Sequence, residues 1–108
     1  MATYIVATEI TITRKEGNLA DIAFTVPDIF SLTGKTVKFA VEDINGSSIM
    51  LKEGADVTIA GQLITIPLLP ADTDNHAGKH RWEMNAYDAE LQPITIGRGV
   101  FVIDKKLL

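Results

Sequence analysis

The residues of this chain best suited to chemistry fall in one polar run, Asp72-Thr73-Asp74-Asn75-His76-Ala77-Gly78-Lys79-His80. Asp72, Asp74 and Asn75 offer carboxylate and carbonyl oxygens, the donors a hard cation such as calcium takes, and His76 adds a nitrogen. The run lacks the glycine and the distal glutamate of an EF-hand loop. A turn whose Asx side chains hold local backbone N–H groups accounts for the same residues and demands less. His76 and His80 are four apart, the spacing that lets two histidines on a helix share a zinc ion. Gly78 stands between them, however, and strand-like alternation begins at Lys79, so the offset loses its meaning. No third ligand follows at a recognisable spacing. The expectation is no metal site, with Asp72, Asp74 and His76 as the weak candidates. His76 is expected to be a solvated loop residue, and His80 a core or corner residue.

Other chemistry fares no better. Ser31, Ser47 and Ser48 sit among turn formers, and no Gly-x-Ser-x-Gly elbow presents a nucleophile. Glu42 and Glu83 could form a carboxylate pair, but alternation places both on outward faces, where solvated acids are the rule. Gly97-Arg98-Gly99 resembles a phosphate-binding fragment only superficially, because no helix N-terminus follows it. Its glycines instead suggest a bulge or close packing in the last strand. Trp82 reads as a core anchor rather than a sugar-stacking platform. No catalytic residue and no cofactor are expected.

The elements that position these residues are strands. Ile10 and Ile12 alternate with polar neighbours, as do Ile22, Phe24 and Val26; Val37, Phe39 and Val41; Val57 and Ile59; and Ile64, Ile66 and Leu68. The run His80, Trp82, Met84, Ala86 follows, and a last strand spans Ile94–Ile103. Period two marks strands with one buried face. Lys15-Glu16-Gly17-Asn18, Asn45-Gly46, Ala60-Gly61 and Asp88–Pro93 supply the turns. Pro67 lacks a donor and suggests an edge position or a bulge. Leu69–Asp74 has room for one helical turn with Pro70 early in it. Ile29–Leu32 is too short for a helix. About seven or eight short strands read as an all-β, immunoglobulin-like antiparallel β-sandwich spanning 1–108 as one domain. The corner would be structural: Asp72 and the turn before it, Gly78 for the bend, then His80 and Trp82 entering the core.

Composition excludes several function classes. The 108 residues carry a net charge of −4, without the basic face that nucleic-acid binding needs. The absence of cysteine removes disulfides, thiol nucleophiles and thiolate metal sites together. No stretch approaches the roughly 20 apolar residues that cross a bilayer. No signal peptide is visible at the N-terminus, so no membrane partner and synthesis in the cytoplasm are expected.

The ordered set of segments resembles the N-terminal immunoglobulin-like domain of phage baseplate upper proteins and related tail-associated structural proteins. The matching segments are Gly17–Val26, Leu32–Val41, Asp43–Gly46, Gly61–Leu68, Ala71–Thr73 with Gly78–Glu83, and Ile94–Ile103. They span the chain from about residue 8 to its end. The set departs from the family where His80 takes the place of a frequent tyrosine, and no long helical or fibre-forming region follows.

The resemblance implies a non-enzymatic assembly module of a phage or prophage tail or baseplate. It would be housed in the virion, make protein–protein contacts with other tail or baseplate proteins, and form a homo-oligomer. The contact surface would be an exposed edge strand or the loops at one end of the sandwich. The apolar segment Thr3–Ala7 would pair with a neighbouring subunit or extend the first strand. The alternative is a carbohydrate- or cell-surface-binding sandwich with Asp74, His76 and Tyr87 touching the ligand. A metal-dependent enzyme at Asp72, Asp74 and His76 ranks last.

Overall fold

The computed structural model describes residues 10–17, 21–26, 31–88, 90 and 92–105. Thr3–Ala7, Ile29 and Phe30 lie outside the described residues. Eight strands are present among those described: β1 Ile10–Lys15, β2 Ile22–Thr25, β3 Thr36–Glu42, β4 Ser48–Lys52, β5 Thr58–Ala60, β6 Leu63–Ile66, β7 Gly78–Tyr87 and β8 Pro93–Asp104. A 3-10 turn at Gly54–Asp56 precedes β5, and one helical turn, α1 (Pro70–Thr73), joins β6 to β7.

The strands form two sheets, one of five strands in the order β1-β8-β7-β3-β4 and one of three in the order β2-β6-β5. Alternation decides which side chains meet between them. From the larger sheet, Val37, Phe39, Val41, Trp82, Met84, Ala86, Phe101 and Ile103 turn inward. Ile22, Ile64 and Ile66 meet them from the smaller one, and all are buried. Trp82 bridges the layers. Its ring centroid lies 5.1 Å from Phe24 of β2 and 5.6 Å from Phe39 of β3. Each such buried side chain contributes about 1.5–3 kcal/mol, and the interlocking rings fix their relative positions. The chain is an immunoglobulin-like β-sandwich.

Three details differ from the sequence-based expectation. The pairing is not wholly antiparallel, because β1 runs parallel to β8, with Ile10 opposite Gly99 and Lys15 opposite Asp104. β4 has no counterpart among the alternating segments. Its run Ile49-Met50-Leu51 is continuously apolar, and a register shift at Val41/Glu42 breaks the alternation against β3. Pro67 is on neither an edge nor a bulge. β6 is the central strand of the smaller sheet, and it ends at Ile66, just before the residue that cannot donate to a ladder. The helical turn expected within Leu69–Asp74 is present as α1. No helix among the described residues is long and apolar enough to cross a membrane.

Candidate functional site

The polar corner is a structural node. Pro70 occupies the first helical position of α1, where its missing N–H costs nothing. The Leu69 N–H donates to Asp72 Oδ2 at 2.7 Å, so the carboxylate caps the turn it belongs to. The Lys52 Nζ reaches the same oxygen at 2.7 Å from the inner face of β4. Lys52 is only 6% exposed, so a charged group sits inside the sandwich at an edge strand, neutralised by the corner. Thr73 is wholly buried, and its Oγ1 accepts the Gly17 N–H at 2.8 Å. Asn75, in the left-handed region at φ 65°, donates its N–H to Glu16 Oε2 at 2.8 Å. The corner thus ties β4 to the turn that follows β1.

His80 completes the node. Its Nε2 lies 2.6 Å from the His76 carbonyl. A carbonyl only accepts, so Nε2 carries the proton. Nδ1 is buried with no hydrogen-bond partner among the described residues. Gly78, at φ 130°, makes the bend into β7, a conformation that side chains oppose. Trp82 then enters the core at 2% exposure. Its Nε1–H donates to the Ile10 carbonyl at 2.9 Å. Gly97 and Gly99 make room on β8. A Cβ at Gly97 would stand 2.9 Å from Trp82 Cη2, and one at Gly99 would overlap the Ile10 carbonyl oxygen.

The weak metal candidates do not converge as ligands. The Asp72 carboxylate is committed to Lys52 and Leu69, and His76 contributes its backbone carbonyl to His80. No group of three His, Asp or Glu side chains among the described residues could hold a metal ion. Asp74 and His76 are half-buried just before β7, whereas Tyr87 ends that ten-residue strand. At about 3.3 Å per residue they lie roughly 30 Å apart, too far to share a small glycan. Tyr87 stacks instead under Lys38, whose Nζ is 5.2 Å from the ring centroid.

Glu42 and Glu83 do face outward. They line a groove of about 420 Å³ on the outer face of the larger sheet, with Ala40 as its small-residue floor and Arg81, Arg98 and Val100 around it. Its charges are met internally. Arg81 lies 3.7 Å from Glu42, Asn85 Nδ2 donates to Glu83 at 3.0 Å, and Arg98 stands opposite Glu83 in register. Two acids and two arginines line this surface, so its formal charges balance.

The edge formed by β4 is different. β4 pairs only with β3, so its other side carries backbone groups that no other described strand pairs with. Three exposed aliphatic residues surround it. Leu51, on the outward side of the strand, is 51% exposed, and Leu69, bonded to the carboxylate that binds Lys52, is 60% exposed. Ile44, at the tip of the turn leading in, is 88% exposed. That turn is rigid. Asp43 Oδ1 accepts the N–H groups of Asn45 and Ser47 at 2.8 and 2.9 Å, and the Asp43 N–H donates to the Ser47 carbonyl at 2.9 Å. Sequence reasoning overlooked Lys52, Ile44, Leu51 and Leu69. The available signal was the apolar run Ile49-Met50-Leu51, two serines after the Asn45-Gly46 turn.

No family model matches the chain, and no curated protein sequence does. Solved structures do. The fibronectin(III)-like modules of Clostridium thermocellum CbhA align at 16% identity over 92% of this chain and 92% of theirs, with a TM-score of 0.52. Extracellular domains 3–5 of Drosophila OTK align over 97% of this chain and 36% of theirs, at 19% identity and a TM-score of 0.39. The V domain of amphioxus IgVJ-C2 aligns at 16% identity over 86% of this chain and 99% of its own, with a TM-score of 0.32. At 16% identity the likeness to the CbhA modules is one of fold, a two-sheet sandwich of the fibronectin III type.

Proposed function

We propose that this domain is a non-enzymatic assembly module acting through protein–protein contacts, and that its setting is a phage or prophage tail or baseplate. The observation that carries the assembly reading is the open β4 edge with Ile44, Leu51 and Leu69 exposed around it. Unpaired strand edges are templates for another chain, and exposed aliphatic residues beside one add affinity. The phage setting rests on the ordered resemblance from Gly17–Val26 to Ile94–Ile103. Its partners are other tail or baseplate proteins, with homo-oligomers of the module in the virion.

Co-expression with the tail and baseplate proteins encoded beside its gene tests this. The expected result is a complex that co-elutes in size exclusion and whose mass, by light scattering, exceeds that of the isolated chain. A chain that stays monomeric and apart from every such protein ends the assembly reading.

A further inference from the structure

The partner's chemistry can be narrowed from the charges that flank β4. Two acids stand at its ends: Asp43 in the turn before it, and Asp56 in the 3-10 turn after it. The other charges of this edge are paired, Lys52 with Asp72, Glu53 with Lys38 at 3.5 Å, and Glu42 with Arg81. Neither Asp43 nor Asp56 has a cationic partner among the described residues. Natural edges are commonly guarded by a lysine that repels incoming strands. The single lysine of β4 is turned inward and neutralised, so it guards nothing. What remains is an aliphatic centre with a carboxylate at each end.

Resting on the assembly reading, we propose that the β4 edge receives an extended segment of a different protein, apolar at its centre and lysine- or arginine-bearing at both ends, added as a sixth strand beside Ser48–Lys52. Charge complementarity selects this occupant. A second copy pairing β4 against β4 in antiparallel fashion would set the Asp43 end of one against the Asp56 end of the other. Like charges brought opposite one another oppose that register. A segment with basic ends meets an acid at each end, and its apolar side chains lie against Leu51. The three bonds described above, with a fourth from the Gly46 N–H to the Asp43 carbonyl at 3.0 Å, keep Ile44 in place before binding, so little ordering is needed there.

The test uses capped synthetic peptides of alternating valine and threonine, one with lysine at both ends and one with glutamate at both ends, added to the isotopically labelled domain at about 1 mM, a concentration that reads weak binding. The lysine-ended peptide is expected to slow hydrogen exchange about tenfold or more at those amides of 48–52 that do not bond to β3. Salt should weaken the effect, because Asp56 is exposed and Asp43 only half-buried. Leu51→Asp should abolish the protection while leaving the circular dichroism spectrum unchanged. Equal protection by the glutamate-ended peptide, protection centred on β1 or β5, self-association through β4 without peptide, or no protection at all would each overturn the proposal. A domain that assembles with tail proteins while 48–52 stays unprotected keeps its proposed function and loses this inference.

Discussion

β1 and β4 close the five-stranded sheet at opposite sides and are held there by different physics. β1 is fixed through its backbone. Its Ile10 carbonyl accepts the Trp82 indole N–H and lies so close to β8 that only glycine fits at position 99. β4 is fixed through side chains, with Met50 in the core and Lys52 held by the Asp72 carboxylate of the corner. The described flank of β1 ends in Arg14 and Lys15, charges of the kind that discourage pairing, while β4 turns its charge inward and leaves Leu51 outside. One edge is closed by steric fit and guarded by charge. The other is anchored from within, and no other described strand covers its outer side.

The largest effect should come from the backbone contact. Gly99→Val should cost about 4 kcal/mol in urea denaturation, because the new side chain must push β1 off the sheet. The near-ultraviolet signal of Trp82 should change with it. A cost below about 1 kcal/mol with that signal intact would mean β1 is not held as described.

The ion pair gives a contrasting pair of variants. Asp72→Ala strands a buried ammonium and should cost about 3 kcal/mol, whereas Lys52→Met replaces the charge with an apolar chain of similar length and should stay within about 1 kcal/mol of wild type or exceed it. Equal losses in the two would show that the β4 anchor is not electrostatic. The smallest effect belongs to Thr73→Val, which keeps the shape but leaves the Gly17 N–H without its acceptor. About 1–2 kcal/mol should be lost in thermal unfolding. No loss would remove Thr73 from the node.

Much of this was legible in the sequence. Period-two alternation located the core faces of β3, β6 and β7, and Trp82 and His80 lie inside where that pattern places them. The polar corner carries the chain from β6 in the smaller sheet to β7 in the larger one, and Gly78 makes its bend. What the pattern could not carry was anything that depends on two distant segments. Lys52 looks like the polar end of a strand until Asp72 stands beside it. Oδ2 of Asp72 looks available to a cation until Lys52 Nζ and the Leu69 N–H both meet it. Gly97 and Gly99 hint at close packing, but not that the approaching groups are Trp82 and the Ile10 carbonyl. The β4 edge escaped notice because an apolar run broken by a bulge has no period to read.

The parallel pairing of β1 with β8 has a consequence for how the chain reaches its native state. Ile10 aligns with Gly99, so the first described strand waits for the last to be made. A nascent chain on the ribosome can form the β3–β4 hairpin early, but it cannot seat β1 until nearly the whole domain has emerged. Pairings between residues this remote in sequence slow folding, since the intervening chain must be ordered before the contact is gained. The indole of Trp82, bonded to Ile10, would register that last event, so its fluorescence should trail the burial of the rest of the core during refolding.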